Sequence, residues 1–348
     1  MSAEDRVAWG VIGSGGIALR RTIPEGIVPA DNARLVAVYD VNQEVNRQVA
    51  ERFGARAAAS LEELLAAEVE AVYVATPVHA HREQVSACAR AGKHVLCEKP
   101  LGLNVAEAEE MVAACRQAGV LLGTALMMRF HSQHQAALKL IREGRLGRPV
   151  YARAQLSCWY PPMAGAWRQD PALGGGGALM DMGGHCLDLL EMFFGPVRRL
   201  ACLTTRAVHG YAVEDGAAVL LEFANGALGT VDTFFSIPDE ASENVLELYG
   251  TLGAILARGT IGQSSRGVMI ARLRGEQAGY DAQQERAAAG GIEISPEPVN
   301  MYRAEIEEFS RAVREGRPPA VTGEDGLRNQ RLLAACYESA RTGKMVEV

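Results

Sequence analysis

Residues 7–18 read VAWGVIGSGGIA, an apolar strand that runs directly into a glycine-rich turn. Gly13, Gly15 and Ala18 match the pattern G-x-G-x-x-A, which is informative when it lies between a strand and a helix. The first glycine permits a tight turn, the second lets the backbone approach a pyrophosphate, and the small third residue lets the helix pack on the sheet. The stretch predicts the first unit of a dinucleotide-binding domain; a tight turn without a ligand is the alternative.

A second predicted strand, residues 35–39, ends in Asp40. An acid at this point accepts hydrogen bonds from the adenosine ribose hydroxyls and repels a 2′-phosphate. No arginine follows Asp40 immediately, so the sequence favours NAD over NADP. Asp40 lies further from Gly13 than the usual spacing of about 20 residues. We expect a loop over 22–32, which contains Pro24, to account for the excess.

Strands and helices alternate through the first third of the chain. Predicted strands at 71–75, 93–97 and 120–126 are interleaved with predicted helices at 42–53, 61–67, 79–91 and 104–118. This alternation is typical of a doubly wound parallel sheet, a Rossmann α/β domain, which we assign to residues 1–126. Right-handed crossovers bring the strand ends to one carboxyl edge, where ligands of such sheets bind. The residues expected there are Gly13, Asp40, Thr76 and Lys99.

The stretch VLCEKP, residues 95–100, is a short apolar run that ends in an acid, a base and a proline. Pro100 has no N–H for a sheet hydrogen bond, so the strand must end before it. Lys99 is therefore predicted at the carboxyl end of a parallel strand, close to a bound ligand. A solvated charge pair of Glu98 and Lys99 in a loop is the alternative.

The pattern changes in residues 127–348, which we assign to an α+β domain with one open, mostly antiparallel sheet. Asn225-Gly226 is a strong hairpin signal between two predicted strands. The predicted strands are 150–158, 197–208, 217–223, 226–235 and 245–249, and a loop is predicted over 275–295. Two amphipathic helices, 301–314 and 325–341, are expected to pack back near the first domain.

Residues 174–188 read GGGGALMDMGGHCLD. A helix from Ala178 onward places Asp181, His185 and Asp188 on one face. The glycines give the backbone freedom to approach a ligand. An ordinary helix-surface pair is one alternative. A metal site that includes Cys186 is another, but no further His or Cys pair has ligand spacing, so no metal is predicted.

Aromatic and polar residues alternate in the segment before these glycines. Tyr160, Trp167 and Arg168 lie in a predicted loop, where rings and hydrogen-bonding side chains suit the C–H faces and hydroxyls of a sugar or polyol. Anchoring of a long loop on the core explains the aromatic residues equally well. Arg168 is also compatible with a carboxylate on the substrate.

Composition excludes several classes of protein. The 348 residues are 48% hydrophobic with a net charge of -7, which argues against disorder and against binding of nucleic acid or anionic membranes. No apolar run approaches the roughly 20 residues of a membrane span, and no signal-peptide pattern opens the chain. Seven scattered cysteines without a C-x-x-C pair indicate reduced thiols and a cytoplasmic protein.

The chain resembles the Gfo/Idh/MocA oxidoreductase family, which includes glucose–fructose oxidoreductase and inositol dehydrogenase. The resemblance rests on the glycine motif and on the tripeptide Ala75-Thr76-Pro77 with His81. It also rests on the sequence AGKHVLCEKP at 91–100 and on the family pattern G-G-G-x-x-x-D-x-G-x-H-x-x-D at 175–188. The family usually has T-P-N where this chain has Val78, so a polar contact near the nicotinamide is expected to be missing or supplied elsewhere. The resemblance implies a cis peptide before Pro100. It also implies a homodimer or homotetramer formed through the exposed C-terminal sheet.

The resemblance further implies an NAD(P)-dependent enzyme that transfers hydride between nicotinamide and a secondary alcohol or ketone of a sugar, polyol or related small molecule. Lys99, Asp181 and His185 are then the catalytic residues. Histidine suits proton transfer because its ordinary pKa is near 6.5. Lys99 would stabilise a developing alkoxide, and Asp181 would orient the imidazole. Whether Lys99 or His185 carries the proton stays open.

The implied binding residues form two sets. The cofactor set, for NAD or NADP, is Gly13, Gly15, Gly16, Ile17, Asp40, Thr76, Pro77, His81, Glu98, Lys99 and Arg129. The substrate set is Lys99, Tyr160, Trp167, Arg168, Asp181 and His185. Two other functions stay open: an NAD-dependent glycosidase or self-recycling oxidoreductase with a tightly held cofactor, and a non-catalytic nucleotide sensor.

Overall fold

The computed structural model describes residues 5–273 and 290–348. These residues form two compact units. So far as they are described, unit 1 comprises the chain up to Met127, Asp170–Gly175 and Asn300–Arg331. Unit 2 comprises Met128–Gln169, Gly176–Val299 and Leu332–Val348.

Unit 1 contains a parallel sheet, as the alternation of strands and helices predicted. Its strands in the described residues are β1 (Val7–Ile12), β2 (Ala33–Tyr39), β3 (Arg56–Ala57), β4 (Ala71–Val74), β5 (His94–Glu98) and β6 (Leu122–Ala125). They are ordered β3-β2-β1-β4-β5-β6, and every pair is parallel. The helices are Ala18–Ile27, Gln43–Phe53, Leu61–Ala66, His81–Arg90, Val105–Ala118 and Met301–Glu315. The change in strand order beside β1 creates the crevice in which such sheets bind dinucleotides.

The helix after the glycine turn is longer than the sequence indicated. Residues 22–32 were expected to form a loop, but Ala18–Ile27 is one wide helix of π type that passes through Pro24. Its hydrogen bonds span five residues, for example from Val28 N to Ile23 O at 3.0 Å. Pro24 and Gly26 both disfavour a helix locally, but packing overrides this preference. A Cβ at Gly26 would lie 3.1 Å from Tyr302 O, so the glycine allows a close approach to helix Met301–Glu315.

Helix Met301–Glu315 covers one face of the parallel sheet within unit 1. Trp9 on β1 is fully buried and packs on Phe309, with ring centroids 5.5 Å apart. Trp9 Nε1 also donates a hydrogen bond to Ser310 Oγ at 3.0 Å, which satisfies the polar atom of this large core side chain.

Unit 2 contains the predicted open sheet, which has nine strands in the described residues. They are β7 (Pro149–Ser157), β8 (Val197–Thr205), β9 (Gly216–Phe223), β10 (Leu228–Phe234), β11 (Val245–Gly250), β12 (Gly253–Arg258), β13 (Val268–Leu273), β14 (Ile292–Glu293) and β15 (Val346–Glu347). The order is β14-β13-β12-β11-β7-β10-β9-β8-β15, and only β7 and β10 pair in parallel. The Asn225-Gly226 hairpin joins β9 to β10 as predicted, with Gly226 at φ +87°. The α-helices of unit 2 include Ser132–Arg142 and Gly184–Phe194, the short helix Pro171–Gly174 belongs to unit 1, and helix Gly323–Thr342 is divided between the units at residues 331 and 332.

The second sheet differs from the prediction in two respects. β8 ends at Thr205 rather than at Val208, because the N–H groups of Ala207 and Val208 bond to the Asp215 carboxylate instead of to a strand. The short strands β12 to β15 were not predicted. The predicted loop over 275–295 lies mostly outside the described residues, and its described end contains β14. Among the described residues, no helix is long and apolar enough to cross a membrane.

Candidate active site

The glycine turn of unit 1 follows strand β1 directly and has a backbone conformation that requires glycine. Gly13 has φ +79°, and a Cβ there would lie 2.8 Å from Thr76 Cγ2, so no other residue fits. Gly15 N donates to Asp40 Oδ2 at 3.0 Å, which joins the turn to the end of β2. Gly16, at φ +52°, is exposed, and Ile17 beside it is half-buried.

These residues fit the adenosine and pyrophosphate part of NAD. The turn leaves room for a close approach at Gly16, where a Cβ would meet nothing within 4 Å. Asp40 Oδ1 accepts a hydrogen bond from Asn42 N at 2.9 Å, so the carboxylate is held at the strand end. A fixed carboxylate in this position suits ribose hydroxyls.

Thr76, Pro77 and His81 form the neighbouring strand end. Thr76 Oγ1 donates to Gln84 Oε1 at 2.6 Å. His81 is buried, and its ring nitrogens lie 2.9 Å from Thr76 O and 3.1 Å from Pro100 O. Burial lowers the pKa of His81, against the raising effect of these carbonyl groups. His81 therefore ties the Thr76 turn to the Pro100 turn.

Val78, which replaces the expected family asparagine, is fully buried at the start of a single helical turn, Val78–Ala80. Its side chain offers no polar group, so position 78 supplies none of the hydrogen bonds that the asparagine would make.

Lys99 follows directly on β5, and the Lys99–Pro100 peptide is cis, as the resemblance implied. The preceding Glu98 accepts hydrogen bonds from Tyr73 Oη at 2.5 Å and from the Lys99 amide N at 3.2 Å. Thr22 Oγ1 in turn donates to Tyr73 Oη at 3.0 Å. Burial and the charge of Glu98 raise the pKa of Tyr73, so its hydroxyl stays protonated and keeps donating.

A second carboxyl group, which the sequence did not indicate, lies in the same buried region of unit 1. Glu305 is 3% exposed, and its Oε1 has no hydrogen-bond partner in the described structure. Burial, followed by the negative charges of Glu98 and Glu308, raises the pKa of Glu305. Because nearby carboxylates do not readily share negative charge, these surroundings favour the protonated form of Glu305.

Unit 2 carries the histidine and the aspartates on one helical segment, residues 179–194. Its first part, Leu179–Gly183, is a wide π turn, and Gly184–Phe194 continues as an α-helix. Asp181 is half-buried, whereas His185 and Asp188 are buried. Single π turns within helices are frequent at functional sites.

The segment that contains Tyr160, Trp167 and Arg168, here called the aromatic loop, contacts helical segment 179–194 at Asp181, within unit 2. Arg168 Nε donates to Asp181 Oδ1 at 3.0 Å. The Arg168 guanidinium also lies over the Trp167 ring, 4.2 Å from its centroid. Tyr160 interacts electrostatically with the same pair. Its pKa is raised, mainly by burial; the Arg168 charge lowers this pKa and the Asp181 charge raises it. The structure thus brings together four predicted substrate residues: Tyr160, Trp167, Arg168 and Asp181.

Arg129, a predicted cofactor residue, belongs to unit 2 and pairs with Asp188. Its Nε lies 2.9 Å from Asp188 Oδ2 and its terminal nitrogen 2.6 Å from Oδ1, so the pair is bidentate. The Asp188 side chain is only 3% exposed, and this ion pair compensates its burial.

The glycines before the helix have a different neighbour from the one predicted. A Cβ at Gly176 would lie 2.0 Å from Tyr337 Oη, and a Cβ at Gly177 would lie 2.0 Å from Glu214 O. The close approach at these two positions is therefore to protein atoms of unit 2. No sequence signal indicated Glu214 or Tyr337, because both are distant along the chain.

Family models match both halves of the chain. A model described as "Oxidoreductase family, NAD-binding Rossmann fold" matches residues 7–126. A model described as "Oxidoreductase family, C-terminal alpha/beta domain" matches residues 138–348.

Curated relatives and solved structures match over almost the whole length. A 1,5-anhydro-D-fructose reductase from Ensifer adhaerens is 32% identical over 344 residues, 98% of this chain and 98% of that protein. A D-xylose 1-dehydrogenase (NADP(+)) from Haloferax volcanii is 31% identical over 98% of this chain and 99% of its own. The crystal structure of an aldose-aldose oxidoreductase from Caulobacter crescentus, complexed with glycerol, has a TM-score of 0.87 at 28% identity and covers 99% of this chain and 100% of that chain.

Proposed function

Because the chain belongs to the Gfo/Idh/MocA oxidoreductase family, we propose that it transfers a hydride between nicotinamide and a secondary alcohol or ketone of a sugar, polyol or related small molecule. The predicted family, the fold class and the assignment to the nicotinamide-dependent oxidoreductases are confirmed. The observation that carries the proposal is the cradle in which Gly13 packs on Thr76 and Gly15 bonds Asp40.

The coenzyme is assigned to this cradle and the neighbouring strand ends. Amide groups at Gly16 and Ile17 would face the pyrophosphate, Gly15 would let the backbone approach it, and Asp40 would accept the ribose hydroxyls. The proposed contacts nearer the nicotinamide are Thr76, Pro77, Glu98, Lys99 and Arg129, with His81 holding two of the turns. NAD is the expected coenzyme, although the Haloferax relative carries NADP(+) in its name.

When bound, the nicotinamide accepts or supplies the hydride, and the chain's own residues must move the proton. We assign His185 as the base that takes the hydroxyl proton in oxidation and returns it in reduction. Lys99 donates a hydrogen bond to the reacting oxygen and stabilises its developing negative charge. Asp181 orients the substrate hydroxyls, and Arg168 holds its carboxylate in place.

The substrate class is proposed from the residues gathered around Asp181. The half-buried rings of Tyr160 and Trp167 offer apolar surface, and the ion pair of Arg168 with Asp181 offers donors and acceptors beside them. A polyhydroxylated compound presents both C–H faces and hydroxyls to such a surface. Two curated relatives are named for sugar-type substrates, which supports the same class.

Self-association is proposed through one face of the unit 2 sheet. Leu203, Leu220 and Leu228 stand on three neighbouring strands and are 74%, 61% and 55% exposed. In register, Leu220 pairs with Thr230, which pairs with Arg153, and Arg153 lies 3.5 Å from Asp232. A face with apolar residues and both signs of charge can match a second copy of itself, which supports a homodimer or homotetramer.

A cytoplasmic location is proposed from the thiols. All seven cysteines are unpaired, and six of them are buried. Unpaired cysteines in this number suit a reducing compartment. Fractionation of the producing cells tests the assignment, and recovery in an oxidising compartment would contradict it.

A single assay tests the function and separates its alternatives. Purified protein is mixed with NAD or NADP and a panel of sugars and polyols, and the absorbance of reduced nicotinamide is followed. Net formation of NADH or NADPH supports a dehydrogenase. Product formed with copurifying coenzyme but no net reduction indicates a glycosidase or self-recycling oxidoreductase. Coenzyme binding without any turnover indicates a sensor and contradicts the proposal.

A further inference from the structure

The first turn of helical segment 179–194 is bound by a single glutamate. Glu214 Oε1 accepts hydrogen bonds from Gly177 N at 2.8 Å and from Leu179 N at 3.1 Å. The backbone oxygen of Glu214 accepts the intervening Ala178 N at 3.2 Å. Three successive N–H groups, which a helix start leaves without intrahelical partners, therefore end on one residue.

Tyr337 completes this anchor. Its Oη donates a hydrogen bond to Glu214 Oε1 at 2.8 Å. The first intrahelical hydrogen bond follows at once, from Asp181 N to Gly177 O at 2.9 Å. The backbone amides of Gly177, Ala178 and Leu179 are thus bound by Glu214, and Asp181 is the first residue of the segment whose amide is bound within the helix.

The glycines are required by this anchor. Any side chain at Gly177 would collide with Glu214 O, and any side chain at Gly176 with Tyr337 Oη, both at 2.0 Å. Glu214 itself is 8% exposed, and its carboxylate faces the helix start, where the aligned peptide dipoles favour negative charge.

We propose that Glu214 is a positioning residue, which fixes the first turn of segment 179–194 and thereby the placement of Asp181 and His185 for the reaction. The inference rests on the proposed function, since it takes these two side chains as the ones that act on the substrate. Glu214 needs no direct part in the chemistry for this role, since its Oε1 accepts hydrogen bonds from Gly177, Leu179 and Tyr337.

The test compares three variants of the full-length protein. Glu214→Ala removes the side-chain acceptor. Glu214→Gln keeps an oxygen for the two amides and removes the charge. Val219→Ala is the control for a general loss of packing, because it truncates a buried side chain on strand β9 of the same sheet and leaves the hydrogen bonds of Glu214 in place.

The readouts are kcat and KM for coenzyme and substrate, amide exchange at 177–180, and the His185 side-chain resonance in a nitrogen-labelled sample. In Glu214→Ala we expect faster exchange at 177–180, a shifted His185 resonance and a kcat lowered about 10- to 100-fold, since small misplacements cost that much. KM for the coenzyme should stay unchanged. Glu214→Gln should behave nearly like the wild type in each of these measurements, and Val219→Ala should show none of the changes.

The results distinguish the inference from the proposed function. If the wild type shows no turnover, the proposed function fails, while the His185 resonance still reports whether Glu214 positions the helix. If Glu214→Ala leaves the His185 resonance or kcat at the wild-type value, the inference is overturned. An equal loss of kcat in Val219→Ala would also overturn it, because general destabilisation would then explain the effect.

Discussion

Arg168 and Asp181 form an ion pair in which Arg168 Nε lies 3.0 Å from Asp181 Oδ1. The pair joins the aromatic loop to the helical segment that carries His185, and the guanidinium is stacked on Trp167. A planar group that binds a carboxylate and stacks on a ring cannot be replaced by a lysine. Arg168 therefore fixes the direction of the Asp181 carboxylate.

We predict that Arg168→Lys loses nearly as much activity as Arg168→Ala. Both should lower kcat/KM for the substrate by about 10-fold or more, because Asp181 loses its fixed orientation in each. KM for NAD should not change. Steady-state kinetics with Arg153→Lys as the control test this prediction; Arg153 pairs with Asp232 on the sheet. A fully active Arg168→Lys variant would show that neither stacking on Trp167 nor the planar guanidinium is needed to orient Asp181.

Lys99 and His185 are predicted to contribute through the reaction itself. Lys99→Ala and His185→Ala should each lower kcat by at least about 100-fold, whereas coenzyme affinity, measured by fluorescence titration, should be nearly unchanged. Lys93→Ala is the control for Lys99, because Lys93 stands before the same strand and donates to Val69 O. Near-normal turnover in either catalytic variant would contradict its assigned role.

Asp40 is predicted to set the coenzyme preference. Its Oδ2 is bound by Gly15 N, so the carboxylate faces the turn where the adenosine ribose is expected. Asp40→Ala should weaken NAD binding about 10-fold and narrow its advantage over NADP, because the repulsion of a 2′-phosphate is lost. Calorimetric titration with both coenzymes measures the effect. Glu44→Ala removes an exposed charge nearby and should leave the preference intact.

Local patterns in the sequence predicted much of unit 1. The glycine turn and the end of β2 at Asp40 follow from residues that are adjacent in the chain, whereas the cis peptide before Pro100 was implied by the family resemblance. The helix after the turn was expected, but its continuation through Pro24 to Ile27 was not, because Gly26 packs on Tyr302, which is distant in sequence.

Long-range contacts explain the other differences. The glycines at 176 and 177 suggested a ligand, yet they accommodate Tyr337 and Glu214. Likewise, the early end of β8 is set by Asp215, a residue of the following turn. Periodicity and motif spacing carry no information about such pairs, whereas the ion pair of Arg168 with Asp181 at least joined two predicted residues.

Self-association through the unit 2 sheet can be tested with a single substitution that introduces a charge. Leu220→Arg places a cation in the middle of the proposed contact face, where desolvation would oppose dimer formation. Light scattering after gel filtration should show a smaller particle than the wild type at the same concentration. Val28→Arg, an equivalent change at a half-exposed position of unit 1, should leave the mass unchanged. An unaltered mass for Leu220→Arg would place any interface elsewhere.

The stability of the protein toward acid is predicted to depend on two buried histidines of unit 2. The rings of His131 and His134 lie 4.6 Å apart. Burial lowers the pKa of His131 to about 4, and burial with the neighbouring histidine lowers that of His134 to about 3. An unfolded chain binds these protons near pH 6.5, so the folded state is favoured above that pH and loses stability as the pH falls toward 4.

Each histidine should contribute a loss of up to about 1.4 kcal/mol per pH unit in this range. The double variant His131→Asn, His134→Gln removes both titrations, and Asn keeps an acceptor for the Gln133 amide that His131 caps. Denaturant unfolding at pH 7, 6 and 5 should therefore show a smaller fall in the free energy of unfolding for the double variant than for the wild type. For His79→Gln, a change at an exposed position, the free energy of unfolding should fall with pH as it does for the wild type. Parallel curves for the double variant and the wild type would mean that other groups control the acid response.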